Sequence, residues 1–362
     1  MSGERRYDHQ GLRRAIALVF VASGADDATS NAVADMLIEA NLSGHDSHGI
    51  QMVKHYLEGM HDDGMRLDAR PELIHDGEAV LRIDGHLALG ALTGAFAMEH
   101  GIAAARQHGV ALVALANSHH LGRIGYWAER CLQDGLASLH FVNVHGHRPL
   151  VAAWGGRQAR LGTNPVCIGV PGTDATEPFV LDMATSKIAF GKVGVAYDKD
   201  ETLPDGAMIS KTGEMTRDPA TMIEDEFGGA LLSMGEHKGG GLAVVCELLA
   251  GALAGNRTMV PERQHANTII NGMLSIIIDP DALGGFDAMK AEIDGLYGYI
   301  RSSEPMAGHD RVLIAGEPER LARADRLEHG VPLADAAWAD FVEAAASRGV
   351  AAADLEQAVG TS

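Results

Sequence analysis

Residues 110–116 (VALVALA) form an unbroken apolar run that is typical of a short strand buried on both faces of a sheet. An Ala- and Gly-rich stretch over residues 90–107 precedes it and predicts a closely packed helix, and another helix is predicted over 124–132. A fully buried strand between two helices requires a sheet that helices cover. The chain is therefore predicted to have a mixed fold of the α/β or α+β class.

Helices are predicted at both ends of the chain. Apolar residues recur at helical spacing over 33–40, where Gly44 is placed to end the helix, and the region from 319 onward predicts two or three amphipathic helices. The polar, turn-rich region 185–227 is predicted to form loops over the sheet. Further elements are expected at these ranges: strands at 79–84, 137–144, 166–170, 179–183 and 274–279, and a helix at 239–251.

Two histidine-bearing segments, 44–49 (GHDSHG) and 117–122 (NSHHLG), lie between predicted elements and indicate proton-transfer chemistry. A metal site is the alternative, because His-x-x-His and His-x-His spacings occur in zinc proteins, although no His-Glu-x-x-His or cysteine pair accompanies them. A purely structural role is the third interpretation, and it is preferred for His119, His145 and His147. The candidate metal ligands are His45, Asp46, His48, His119, His120, His145 and His147.

His48 is predicted to lie in the first turn of a helix over residues 50–60, with Asp46 or Ser47 as the N-cap. The positive end of the helix dipole disfavours a protonated imidazole at that position. A protonated His48 would therefore give up its proton more readily than an ordinary histidine.

The formal net charge of −20 argues against nucleic acid or an anionic membrane as a partner, because their phosphates would be repelled. Residues 1–8 are polar and lack the apolar core of a signal peptide, and no apolar stretch approaches the length of a membrane span. The three cysteines, Cys131, Cys167 and Cys246, are predicted to be buried free thiols in a reducing compartment. These features predict a cytoplasmic protein.

A glycine cluster at residues 236–241 (EHKGGG) leads into the predicted helix at 239–251. Backbone N–H groups at a helix start, together with Lys238, are suited to hold a phosphate, although a flexible loop explains the glycines equally well. The strand–GxGxxG–helix arrangement of a Rossmann dinucleotide site does not occur in the chain.

Three polar residues near predicted strand ends are candidates for ligand contact. Thr163 is placed to bond a substrate, Asp182 to orient a histidine, and Arg123 to clamp an anion. Each also has an ordinary interpretation, since Thr163 can satisfy its own turn and Arg123 can be a solvated cation.

Together these segments resemble the malate/L-lactate dehydrogenase family that lacks a Rossmann domain, and within it the bacterial hydroxycarboxylate dehydrogenases. The matching segments follow the family order across nearly the whole chain. They are 46–49 (DSHG), 117–127 (NSxHxGxxGYW), 162–165 (GTNP), 182–186 (DMATS) and 237–239 (HKG).

The resemblance implies a mixed α/β fold unrelated to Rossmann, with a mixed central sheet and N- and C-terminal helices. It also implies a homodimer with its active sites near the subunit contact. The helical residues 1–75 would carry the catalytic histidine and pack with 320–362, and residues 76–319 would form a mixed-sheet cofactor-binding domain. The implied reaction is the NAD(P)-dependent interconversion of a 2-oxo acid and a 2-hydroxy acid. The resemblance does not distinguish NAD from NADP as the cofactor.

Site residues also follow from the resemblance. His48 is implied as the proton donor to the carbonyl oxygen, Ser47 as its hydrogen-bonded relay, and His120 as a second acid/base group. Substrate contacts are assigned to Thr163 and Arg123. The dinucleotide contacts would be His48, Gly122, Arg123, Ile124, Val180, Leu181, Asp182, Met183, Ala184, His237, Lys238, Asn271, Gly316, Glu317, Pro318 and Glu319.

One position departs from the family pattern. Many members place an arginine four residues after the catalytic histidine, where this chain has Met52. The substrate carboxylate would then be bound by Arg123, Lys54 or backbone N–H groups, and the substrate is predicted to be a bulky apolar or aromatic 2-oxo acid. The competing hypotheses are a metal-dependent hydrolase that uses the His48 and His120 segments, and a non-catalytic nucleotide-binding or assembly protein.

Overall fold

The computed structural model describes residues 4–60, 64–263 and 268–360. The predicted terminal segments also include residues 1–3 and 361–362, which lie outside the described residues. The strands are β1 (Glu4–Tyr7), β2 (Glu72–Gly77), β3 (Val80–Asp84), β4 (Val110–His119), β5 (Ala137–His145), β6 (Val151–Ala152), β7 (Ala159–Leu161), β8 (Val166–Val170), β9 (Phe179–Met183), β10 (Met208–Ser210), β11 (Met215–Thr216), β12 (Gly229–Leu231), β13 (Ile270–Ile278) and β14 (Val331–Ala334). The α-helices are α1 (His9–Ala22), α2 (Asp27–Leu42), α3 (Met52–Glu58), α4 (Gly90–His108), α5 (Gly125–Gln133), α6 (Phe190–Asp198), α7 (Ala220–Ile223), α8 (His237–Cys246), α9 (Phe286–Arg301), α10 (Glu317–His329), α11 (Asp335–Ala346) and α12 (Ala352–Gly360).

A seven-stranded mixed sheet forms the centre of the molecule, with the strand order β2-β3-β4-β13-β5-β8-β9. Strands β3 and β4 run parallel, and the remaining neighbours in this sheet are antiparallel. The predicted mixed α/β fold with a mixed central sheet is therefore confirmed. The central position of β4 explains why its sequence is apolar without alternation.

The main core lies between this sheet and the helices on one side of it. Helix α4 packs against β4, and α5 packs against β8. Trp127 of α5 is fully buried against α4, where a Cβ atom at Gly94 would lie 2.3 Å from its Cζ2 atom. Glycine at position 94 therefore lets the two helices approach closely enough to seal the core around the indole.

The two ends of the described chain meet. Strand β1 pairs antiparallel with β14, and α1 packs against α12. The prediction of helices at the C-terminal end is confirmed by α10, α11 and α12, although β14 interrupts them. Strands β1 and β2 and helix α9 were not predicted from the sequence.

The prediction that residues 185–227 form loops is wrong. This region contains α6, β10, β11 and α7, and its short strands belong to a second sheet with the order β11-β10-β12-β6-β7. Val193, Met208 and Met222 are buried in a small separate core beneath it. Strands of two or three residues are too short to produce a recognisable alternation, so the sequence pattern is that of a loop.

Several other predictions agree with the structure, some with shifted boundaries. Strands β8 and β9 have the predicted bounds, and the three cysteines are buried free thiols. Strand β4 continues to His119 rather than ending before Asn117, because β13 pairs with it as far as Ile270. The helix predicted at 239–251 begins earlier as α8 and continues as a π-helical segment, Glu247–Leu253. In the part of the chain that the structure describes, no helix is both long and apolar enough to cross a membrane.

Candidate active site

His48 lies in a single 3-10 turn, Asp46–His48, between α2 and α3. The backbone N–H of His48 donates to the carbonyl of His45 at 2.9 Å. Gly44 ends α2 with a φ of +83°, as its position in the sequence predicts. The prediction that His48 lies in the first turn of the following helix is wrong, because α3 begins only at Met52.

The Asp46 carboxylate does not cap α3, and no side chain caps that helix. Arg326 of α10 donates to both carboxylate oxygens at 2.6 and 3.0 Å, and the Asn41 amide donates at 2.7 Å. The predicted cap is absent because this bidentate ion pair, which joins distant parts of the chain, uses the carboxylate. Its effect is to fasten the His48 turn to the C-terminal part of the chain.

The rings of His48 and His120 face each other with 5.6 Å between their centroids. The Ser47 hydroxyl lies 3.1 Å from Nδ1 of His48, and the Tyr56 hydroxyl lies 2.8 Å from Nδ1 of His120. Within the described residues, neither Nε2 atom has a hydrogen-bond partner. The structure thus brings together the three residues predicted to carry the chemistry, with both Nε2 atoms available to a ligand.

Both imidazoles favour the neutral form. Burial, with smaller contributions from the positive charges of His45 and Arg123, lowers the pKa of His48 to about 4. Burial and the neighbouring His48 and His119 lower the pKa of His120 well below its ordinary value. A protonated His48 therefore gives up its proton more readily than an ordinary histidine, as predicted. The main cause is burial rather than a helix dipole.

Arg123 is buried and extends toward Glu129, with which its Nη2 atom forms an ion pair. The nearby Asp182 carboxylate accepts a hydrogen bond from the backbone N–H of Gly125 at 2.7 Å. The Nε and Nη1 atoms of Arg123 are buried and have no hydrogen-bond partner in the described part of the chain. An anionic ligand would stabilise this buried guanidinium, which has two unsatisfied hydrogen-bond donors.

Several predicted dinucleotide contacts lie next to one another. The Val180 N–H donates to the Ala315 carbonyl at 3.3 Å, which joins β9 to the turn at Gly316, where φ is +91°. Glu319, at the start of α10, lies 3.2 Å from Nε2 of His45, beside the His48 turn. The turn before α10, strand β9 and the histidine turn thus form one region.

The start of α8 joins this region through the backbone. The Met234 N–H donates to the Thr185 carbonyl at 2.9 Å, and Thr185 donates in turn to the Thr163 carbonyl at 2.9 Å. His237 and Lys238 are exposed at the first turn of α8. The backbone N–H groups predicted to hold a phosphate are already paired, because Lys238, Gly239 and Gly240 donate to the carbonyls of Gly235, Met234 and Glu236. Helix α8 therefore presents the lysine, but not these N–H groups, close to the end of β9.

Asn271 has a different environment from the other predicted contacts. Its side chain is buried, accepts a hydrogen bond from the Leu121 N–H at 2.9 Å and donates to the Asn143 carbonyl at 3.1 Å. Trp127 fixes the same segment, because its indole N–H donates to the Leu121 carbonyl at 2.9 Å. Asn271 thus supports the segment that carries His120, and its contact with a cofactor stays a prediction.

Comparison with known proteins decides the family. A family model described as malate/L-lactate dehydrogenase matches residues 7–342. The chain belongs to the malate/L-lactate dehydrogenase family. It is 40% identical to hydroxycarboxylate dehydrogenase B of Escherichia coli K12, over 97% of this chain and 96% of that protein.

Other relatives are named for different substrates. An L-lactate dehydrogenase of Cupriavidus necator is 37% identical over 81% of this chain and 83% of that protein. The solved sulfolactate dehydrogenase of Methanocaldococcus jannaschii has a TM-score of 0.83 and 30% identity, with 97% of this chain and 99% of that chain covered. The predicted resemblance, fold and general dehydrogenase class are therefore confirmed.

The two predicted cations for the substrate carboxylate each have a carboxylate partner. Lys54 lies 3.2 Å from Asp340 of α11, and Arg123 extends toward Glu129. Met52, at the position where many members of the family have arginine, is buried at the start of α3. Among the described residues, backbone N–H groups, the two imidazoles and the two unsatisfied donors of Arg123 are candidates to receive a carboxylate here.

The structure gives no support to a metal centre at the histidine segments. Within residues 4–60, 64–263 and 268–360, no three His, Cys, Asp or Glu side chains are grouped so that they could hold a metal ion. His145 and His147 instead form hydrogen bonds with Asn256 and the carbonyl of Arg148, respectively. These two histidines have the structural environment that the sequence favoured for them.

Tyr56 is the site residue that sequence reasoning missed. It lies within the helix predicted over residues 50–60, and its ring is fully buried. Its hydroxyl nevertheless bonds His120, which is far away in sequence. A buried tyrosine requires a partner for its O–H, and that requirement was the available signal.

Acidification is expected to destabilise this protein between pH 6.5 and about 3. His119 and His140 are buried, and burial lowers the pKa of each from 6.5 to about 3, so unfolding takes up protons in this range. Their contribution to stability is complete above pH 6.5 and is lost as the pH falls, by about 1.4 kcal/mol per pH unit for each group. Urea unfolding at a series of pH values measures how the free energy of unfolding depends on pH. His140→Gln should reduce this dependence by about 1.4 kcal/mol per pH unit, the contribution of one group. A free energy of unfolding that stays constant from pH 6.5 to 4 would contradict the prediction.

Proposed function

We propose that this protein is an NAD(P)-dependent oxidoreductase that interconverts 2-oxo acids and 2-hydroxy acids. The observation that carries the proposal is the pair of imidazoles, His48 and His120, whose rings lie 5.6 Å apart. Each has its Nδ1 beside a hydroxyl and its Nε2 without a partner among the described residues. Such a pair can exchange a proton at one ring and hold a substrate oxygen at the other.

Bound NAD(P)H supplies the hydride that reduces the carbonyl carbon. As negative charge builds on the carbonyl oxygen, a protonated His48 gives that oxygen its proton, and the C=O becomes CH–OH. His48 is neutral at neutral pH without ligand, so it is already suited to accept the hydroxyl proton in the reverse reaction. The negative charge of a bound carboxylate favours imidazolium, which prepares His48 for reduction.

The residues present fit a dinucleotide. Gly122 and Gly316 are held at positive φ, which glycine adopts without strain, and the buried Arg123 guanidinium has two unsatisfied donors. Exposed Lys238, at the start of α8, supplies a positive charge that suits a phosphate. The proposed cofactor contacts are His48, Gly122, Arg123, Ile124, Val180, Leu181, Asp182, Met183, Ala184, His237, Lys238, Asn271, Gly316, Glu317, Pro318 and Glu319.

The substrate is proposed to carry a bulky apolar or aromatic side chain. This proposal rests on Met52, which is uncharged and buried where a second carboxylate of a substrate such as malate would require a cation. Thr163, Arg123 and backbone N–H groups are proposed to bind the carboxylate that all 2-oxo acids share. We also propose a homodimer, which sedimentation at assay concentrations would test.

The direct test is a panel of 2-oxo acids assayed with NADH and with NADPH, in which turnover appears as loss of absorbance of the reduced nicotinamide. Phenylpyruvate and branched aliphatic 2-oxo acids are expected to react with a higher kcat/KM than oxaloacetate. Binding of a dinucleotide without turnover of any acid in the panel would refute the proposed activity and favour a nucleotide-binding protein. Hydrolytic activity that is lost on chelation and restored by a metal ion would favour the metal-dependent hydrolase.

A further inference from the structure

The inference concerns Tyr56, which lies on α3 and is fully buried. Its ring is enclosed by Phe20 and His119, whose ring centroids lie 6.5 and 5.3 Å away. From this position its hydroxyl reaches Nδ1 of His120 at 2.8 Å. Within the described residues, that hydroxyl forms no other hydrogen bond.

The direction of this hydrogen bond follows from the lack of another partner. If His120 carried its proton on Nδ1 and donated to Tyr56, the phenol hydrogen would be buried without an acceptor. An unsatisfied buried donor is costly, so the phenol must donate and Nδ1 must accept. Burial also raises the pKa of Tyr56, which keeps the phenol protonated.

The consequence appears at the opposite side of the His120 ring. A neutral imidazole that accepts at Nδ1 carries its single proton on Nε2. The Nε2 atom has no partner in the described part of the chain, and the ring faces His48. The two histidines therefore have different capacities: His48, beside the Ser47 hydroxyl, is free to take up and release a proton, whereas His120 is held as a hydrogen-bond donor.

We propose that Tyr56 is a positioning residue that fixes His120 as a neutral imidazole with its proton on Nε2, and that this N–H donates to an oxygen of the bound 2-oxo acid. The donation to the 2-oxo acid rests on the proposed function, and the fixed tautomer of His120 does not. In this arrangement His120 orients the substrate and polarises its oxygen, and it does not transfer a proton. The role differs from the acid/base role that the sequence implied for His120.

The first test is NMR of the unliganded protein labelled with ¹⁵N in its histidine rings, with His120→Gln to assign the signals. We expect Nδ1 of His120 to appear unprotonated and hydrogen-bonded, and Nε2 to appear protonated. In Tyr56→Phe, both nitrogen shifts should move toward the average of the two tautomers. A wild-type signal from protonated Nδ1 would overturn the proposal, as would a Tyr56→Phe spectrum identical to that of the wild type.

The second test is kinetic. Tyr56→Phe should lower kcat/KM for the preferred 2-oxo acid by about 10-fold, which corresponds to the loss of one hydrogen bond. His120→Gln, which keeps an amide donor, should retain more kcat/KM than His120→Leu. Equal loss in the two His120 variants would show that His120 transfers a proton and would overturn its role as a donor.

The control is Tyr7→Phe, which removes a hydroxyl from another buried tyrosine, stacked on Trp338 at 4.8 Å. It should change neither the His120 signals nor kcat/KM. The NMR arm needs neither substrate nor cofactor, so the tautomer result stands even if no 2-oxo acid is turned over. A failed assay would count against the proposed function, and a protonated Nδ1 would count against the role of Tyr56.

Discussion

Replacing His48 with alanine is expected to reduce kcat by about 10²–10⁴-fold, the range that general acid–base groups usually contribute. The side chain is the proposed source of the proton for the carbonyl oxygen, and it has its Nδ1 atom 3.1 Å from the Ser47 hydroxyl. Alanine removes the proton donor but leaves the proposed dinucleotide contacts of β9 and α8 in place. The loss should therefore appear mainly in kcat, measured by single-turnover and steady-state oxidation of the reduced nicotinamide.

His55→Ala is the matched control, because His55 is an exposed histidine on the nearby helix α3. Its removal should leave kcat within about twofold of the wild type, since surface substitutions usually have small effects. Unchanged turnover in His48→Ala would exclude His48 from the reaction. Loss of dinucleotide binding with unchanged kcat at saturation would instead assign His48 to the binding of the cofactor.

Replacing Trp127 with alanine is expected to lower the free energy of unfolding by about 3–5 kcal/mol. The indole is fully buried between α4 and α5, and its N–H donates to the Leu121 carbonyl at 2.9 Å. The variant therefore leaves a large cavity beside Gly94 and a buried carbonyl without its donor. Urea unfolding followed by far-UV circular dichroism measures the change.

Trp154→Ala provides the comparison for this prediction. Trp154 is 60% exposed, so its removal should change stability by no more than about 0.5 kcal/mol. Trp127→Ala should also impair turnover in the folded protein, because the Leu121 carbonyl directly follows His120. Equal unfolding midpoints for the two tryptophan variants would show that the indole of Trp127 does not stabilise the core as described.

The elements that could be predicted are those whose own sequence shows a recognisable pattern of apolar and turn residues. Strands β8 and β9 are compact apolar runs between turns, and their bounds match the predicted ones. The second sheet could not be predicted, because β10, β11 and β12 contain only two or three residues each, and because β12 pairs with β6, which lies far away in sequence.

The same distinction applies to the candidate site. The pairing of Ser47 with His48, and the proximity of His48 to His120, agree with roles implied by the motifs. The actual partners of Asp46 and Arg123 could not be predicted. Each depends on a tertiary contact that competes with the local role expected from sequence, and only the folded structure shows which contact prevails.

The histidine turn is bound to helix α10 by contacts that span most of the chain. Asp46 pairs with Arg326, Glu39 with Arg323 at 3.1 Å, and His45 with Glu319. A chain emerging from the ribosome cannot form any of these contacts until α10 has been synthesised, and Glu319 follows His45 by 274 residues. Nascent polypeptide should therefore lack a properly positioned His48 until α10 has emerged, so that competence arises long after His48 itself is made and in a single step.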